Sequence, residues 1–91
     1  MSGSALTLSV TPSLSLTVAR AEALAVSPVC RADHLDRAAA DAAIRASVRA
    51  HGGTRGCAAA LAQAFGDHPE TAGPRMRWAR HTVESLYGLA R

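Results

Sequence analysis

The chain has 91 residues and a formal charge of +3, and all ten of its basic residues are arginine, with no lysine and no asparagine. At this length it is one small domain burying only ~60–65% of its unfolded surface, so its core must be compact or completed by a partner. Two cysteines make no disulfide framework, and no run approaches the ~18 apolar residues of a membrane span. The arginine, alanine and glycine bias is that of a GC-rich bacterial genome, such as an actinobacterium's. Serines and threonines interrupt every leucine near the N-terminus, which has no basic n-region, so the reading is cytoplasmic. Charge is uneven: residues 1–30 carry only Arg20 and Glu22, whereas residues 74–91 carry Arg75, Arg77, Arg80 and Arg91 against Glu84. A basic C-terminal element suits an anionic partner.

Residues 5–18 carry two readings. Leu6, Leu8 and Val10, then Leu14, Leu16 and Val18, alternate with serine and threonine, the period of two short strands turning at Pro12-Ser13. Alternatively, Thr11 caps a helix with Pro12 at its first position. The helix formers of Ala19–Ala25 favour extended chain over 5–10 and a helix over about 13–26, with residues 1–12 an extended or mobile segment. Ser27-Pro28 breaks that helix or caps a new one.

Asp33 or Asp36 starts the next helix, about 34–50. With Asp36 as N-cap, Leu35 and Ala40 take the hydrophobic-staple positions. Ala40, Ile44 and Val48 share one face, and Arg37 and Asp41 are spaced for a surface pair. His51-Gly52-Gly53 ends the helix, with glycine where a left-handed cap is needed. Thr54 caps a third helix, about 55–65, whose stripe is Cys57, Leu61, Ala64 and Phe65, and Gly66 stops it. Asp67 and Glu70 form a capping-box-like pair before Pro69. Gly73-Pro74 interrupts again, and a last helix runs over about 74–89. Its inward stripe is Met76, Ala79, Val83, Leu86 and Ala90, with Arg75, Arg77, His81 and Glu84 outward. The predicted core is Ile44, Val48, Leu61, Phe65, Met76, Val83 and Leu86.

Leu61-Ala62-Gln63-Ala64-Phe65-Gly66, followed by His68-Pro69-Glu70-Thr71-Ala72, resembles the helix-turn-helix domains of small bacterial transcription regulators and of insertion-sequence transposase subunits, over about residues 45–80. The elements together read as a mainly α, three- to four-helix bundle with residues 13–91 as one domain, and the resemblance implies a role in binding double-stranded DNA. Its recognition helix would carry Glu70, Thr71, Arg75 and Arg77 nearest the DNA, with Arg80 and His81 beyond them. Gly73-Pro74 departs from that pattern, because proline inside a helix removes a hydrogen bond and costs ~3 kcal/mol.

Arg75 and Arg77 in a first turn oppose the helix dipole, which favours an anionic partner or a nearby carboxylate such as Glu70, and exposed arginines contribute little to stability. The alternative to DNA binding is a small helical adaptor whose Trp78, Ser85 and Leu89 flank docks on a protein partner or a second copy. Cys30-x3-His34 and His51-x5-Cys57 supply four metal-ligand types, but the close Cys-x2-Cys pair of a structural zinc site is missing. Cys57 reads as a small buried hydrophobe. No motif supports catalysis or a phosphate-binding loop, so the expectation is no enzyme, cofactor, metal, membrane contact or small-molecule substrate.

Overall fold

Four helices and no strand form among residues 12–88, the part of the chain that the computed structural model describes. They are α1 (Pro12–Ala25), α2 (Arg37–Ala50), α3 (Thr54–Asp67) and α4 (Pro69–Tyr87). The mainly helical bundle expected from periodicity is what forms. The extended run over 5–10, the Thr11 cap, Leu89 and Ala90 lie outside the described residues.

α1 is the middle of the bundle and touches all three other helices, α4 most extensively. Pro12 takes its first position, where a missing N–H leaves nothing unpaired. Ala21, Ala23 and Leu24 are completely buried, and Ala25 nearly so. A helix apolar on several sides belongs inside a bundle, and its alanines let neighbouring backbones come close. Leu61 of α3 and Ala79 and Val83 of α4 complete the buried cluster, with Ile44, Met76, Trp78 and Tyr87 packed against it.

Asp36, not Asp33, caps α2: its carboxylate accepts the Ala39 N–H at 2.8 Å. Ala40 and Ser47 are the buried face of α2. Its far end closes as the double glycine predicts. Gly53 donates to Val48 O at 2.8 Å and Gly52 to Arg49 O at 3.3 Å, with φ of 75° and 120° at Gly52 and Gly53. That is the paired hydrogen bonding of a Schellman turn.

Gly53 holds the N-cap position of α3, so Thr54 is the first helical residue and not the cap. α3 is riveted to α2 at one carbonyl. Ser47 O accepts from the His51 N–H at 3.0 Å, from His51 Nδ1 at 2.8 Å, and from the buried Cys57 thiol at 3.7 Å. Gly56 makes the approach feasible, because a Cβ there would stand 1.6 Å from His51 O.

Three expectations for the α3–α4 corner are corrected. Gly66 does not stop α3, which runs on to Asp67, and His68 alone separates it from α4. Asp67 is therefore helical, and the capping-box pair with Glu70 does not form; the N-cap of α4 is His68, without a side-chain cap. Gly73-Pro74 does not break α4, which continues through both residues. Pro74 forgoes the bond to Glu70 O, but Ala72 before it is buried and Arg75 after it is anchored on α1. Tertiary packing here outweighs local propensity.

Phe65 leaves the predicted core, being 40% exposed. Only His68 separates α3 from α4, and the residue buried just beyond it is the small Ala72. The Phe65 ring lies instead over Gly73, where a Cβ would be 4.0 Å from the ring and 3.7 Å from the Arg77 guanidinium. Leu61 and Val83 are buried as expected, whereas Ile44, Val48, Met76 and Leu86 are half-buried.

At the opposite end Tyr87 ties three helices together. Its ring is stacked on by the guanidiniums of Arg20 (4.1 Å) and Arg37 (4.7 Å), and its hydroxyl donates to the Asp41 carboxylate. The expected Arg37–Asp41 surface pair is replaced, because both side chains serve the ring. Burial first, then the Asp41 hydrogen bond and charge, push the Tyr87 pKa from 10.0 up to about 12. α4 stops just beyond, at Gly88 with φ 78°.

Gly56→Ala is expected to lose about 3 kcal/mol of stability, since backbone must move to admit the methyl group. Gly66→Ala, with nothing within 4 Å, is expected to gain about 0.5–1 kcal/mol. Urea unfolding of the two variants checks the pair. Folding raises the Tyr87 pKa, so its stabilising contribution is complete below pH 10 and is lost as pH rises towards about 12. Phenolate absorbance of this single tyrosine should therefore titrate near the upper value. Asp41→Asn should lower that midpoint only part of the way, because burial is the larger cause.

Candidate functional site

α4 carries every residue but Leu89 that sequence reasoning assigned to a binding surface, and its 19 residues divide into three strips. Ala72, Ala79 and Val83 are buried against the bundle. Glu70, Thr71, Arg77, Arg80 and His81 are exposed. Trp78, Thr82 and Leu86, half-buried, border a groove on the remaining side.

Arg75 does not join the exposed strip. It reaches across to the end of α1, donating from Nε to Ala25 O at 2.9 Å and from a terminal nitrogen to Ser27 O at 2.8 Å and Leu24 O at 3.5 Å. The Ser27 hydroxyl also donates to Leu24 O, at 2.7 Å. The last carbonyls of a helix have no intrahelical partner, and a cation is favourable at that end of the dipole. Arg75 thus caps α1 from a neighbouring helix. With α4 beginning at Pro69, Arg75 is past the first turn, so the dipole conflict foreseen for it does not arise. Burial, then the nearby charge of Arg31, lowers its pKa below the usual arginine value. Its guanidinium also stacks 4.6 Å from the centre of the Trp78 ring.

The remaining surface candidates stay outward. Glu70 stands 3.7 Å from His68 Nδ1 in an exposed pair, of a kind worth little in water. The Thr71 hydroxyl donates to His68 O at 3.2 Å. Arg77 lies over Gly73 beside Phe65. His68–Glu70 is the one ion pair within 4 Å among the described residues, so Arg77, Arg80 and His81 present donors with no carboxylate in salt-bridge reach. Leu89 lies outside the described residues.

The groove beside this strip, about 350 Å³, runs between the segment after α1 and α4. Arg31, His34 and Leu35 form one wall, and Trp78, His81 and Leu86 the other. Sequence reasoning named Trp78 and His81 but missed Arg31, His34 and Leu35 as a facing wall. They occupy an irregular connection without periodicity, and only the fold sets them opposite α4. A second hollow, about 260 Å³, lies between α1 and α2, with Leu16, Ile44 and Val48 among its lining.

The four Cys and His residues with metal-like spacing are divided by the fold. His51 and Cys57 both engage Ser47 O, while Cys30 and His34 are exposed on the segment after α1. Among the described residues no three Cys, His, Asp or Glu side chains converge, and no helix is long and apolar enough to cross a membrane.

Comparison with protein-family models, curated proteins and solved structures finds no match. The helix-turn-helix resemblance is therefore weighed on geometry. α4, which would be its recognition helix, is continuous, and Glu70, Thr71, Arg77, Arg80 and His81 are exposed along it. Its connection is one residue where such motifs have a 3–4-residue turn.

Replacing Arg75 by alanine strands carbonyls at the end of α1 and is expected to cost about 2–4 kcal/mol, the loss of charge-assisted bonds to partly buried acceptors. Lysine should recover only part of this, lacking the planar fork. Thermal unfolding of both variants checks the assignment, and Arg77→Ala should leave stability within about 0.5 kcal/mol of wild type.

Proposed function

We propose that the chain binds double-stranded DNA through the outer face of α4, as a small regulator or transposase-like accessory. What supports this most is a single juxtaposition. Arg77, Arg80 and His81 are exposed on one uninterrupted helix whose opposite face is buried in the bundle, and none has a carboxylate within 4 Å among the described residues. A helix so mounted fits a major groove about 12 Å wide, and guanidiniums fork to phosphate oxygens and guanine edges. Thr71 and Glu70 would lie nearest the bases at the N-terminal end, where recognition helices make most contacts. Arg75 takes no part, since it is committed to α1. Glu84 lies one turn beyond Arg80 and His81, so binding would be modest and mainly to the backbone.

The adaptor reading has its own support in the groove lined by Trp78, Leu35 and Leu86, a second and separate surface.

A salt titration of duplex binding tests the proposal. Wild type is expected to lose affinity steeply with salt, and Arg77→Ala/Arg80→Ala should reduce the log–log slope by roughly 2, one released counterion per lost phosphate contact. The Glu84→Gln variant should bind more tightly. Absence of salt-sensitive binding to any duplex at low ionic strength would remove the DNA reading, and an unchanged slope in the double variant would remove this face.

A further inference from the structure

The groove on the flank of α4 is built differently from the exposed strip, and DNA binding leaves it unused apart from His81. Trp78 forms one wall, and its ring is fixed before any partner arrives, because Arg75 stacks on it at 4.6 Å while bonded to three carbonyls at the end of α1. Leu35 and Leu86 add apolar surface from opposite walls. Trp78 and Leu86 are eight residues apart on one helix, so the α4 wall is about 12 Å long. That length matches about four residues of extended peptide.

The charges around the groove are unbalanced. Arg31, His34 and His81 line it against one acid, Asp33, and Arg75 lies just behind Trp78. Among the described residues neither these two guanidiniums nor these two imidazoles have a carboxylate within 4 Å. Arg31 is close enough to disfavour the charge on Arg75, so the single lining acid, Asp33, stands against two neighbouring guanidiniums.

We infer that the groove is a docking site for a short acidic segment of a partner protein, carrying apolar anchor side chains that rest on Trp78, Leu35 and Leu86. Carboxylates of the segment would face Arg31, His34 and His81, where complementary charge supplies specificity and association rate. The anchors would supply affinity, with a rigid aromatic wall that loses little conformational freedom on binding.

The one tryptophan of the chain reports on this site directly. Full-length protein is titrated with a blocked peptide having Leu-Asp-Glu-Leu at its centre, following tryptophan emission. A saturable shift is expected, and peptides with Leu-Lys-Lys-Leu or Ser-Asp-Glu-Ser should bind about tenfold more weakly. Arg31→Glu alters an exposed side chain, and it should weaken the acidic peptide about tenfold and strengthen the lysine peptide. Arg77→Ala/Arg80→Ala should leave peptide binding unchanged, which separates this site from the DNA face. The inference is overturned by a lack of saturable response to the acidic peptide, by equal binding of the lysine peptide, or by indifference to Arg31→Glu. It is also overturned if duplex DNA displaces the peptide equally well from wild type and from the double variant, since the groove would then belong to DNA.

Discussion

The bundle depends on one guanidinium. Arg75 of α4 satisfies the last carbonyls of α1, the helix around which everything else packs. A helix end buried against neighbours needs partners for its free carbonyls. α1 has only the Ser27 hydroxyl and its own turn to offer, and Pro28 follows at once to direct the chain away. The same side chain sets the relation of α4 to α1, fixes Trp78 by stacking, and puts a positive charge beneath the segment carrying Arg31. Its planar fork bridges residues 25 and 27 together, which an ammonium would do less well.

What was legible in the sequence is what local physics decides. The Asp36 cap, the left-handed His51-Gly52-Gly53 ending, Pro12 at a helix start and the inward Leu61 and Val83 all follow from side chains acting within a turn or two of themselves. The failures come where distant parts of the chain meet. Gly73-Pro74 reads locally as a kink or a break, yet α4 runs on through both residues. Phe65 reads as core from its stripe, yet after a one-residue connection Ala72 is buried and the ring lies exposed over Gly73. Arg75 was read as a ligand contact, although its partners lie about fifty positions earlier in the chain. Helical period sets Arg77 and His81 outward, and both are exposed; of the groove it reaches Trp78 but not the wall facing it.

α4 therefore serves three neighbours at once: the core, the exposed strip and the groove. Sharing one rigid helix means that the two proposed surfaces cannot move independently. His81 borders both, so an occupant of one would feel the charge of an occupant of the other. Two anionic partners on adjacent strips repel, and their binding would be mutually discouraging by the reciprocity of linked equilibria.

The carbonyl of Ser47 has a consequence for the two thiols. Cys30 is exposed and Cys57 is completely buried, donating into the seam that Gly56 closes. An alkylating reagent meets Cys30 at once, but reaches Cys57 only when α2 and α3 part. The second thiol is thus a clock for that opening: its modification rate measures how often the seam separates while the chain remains native.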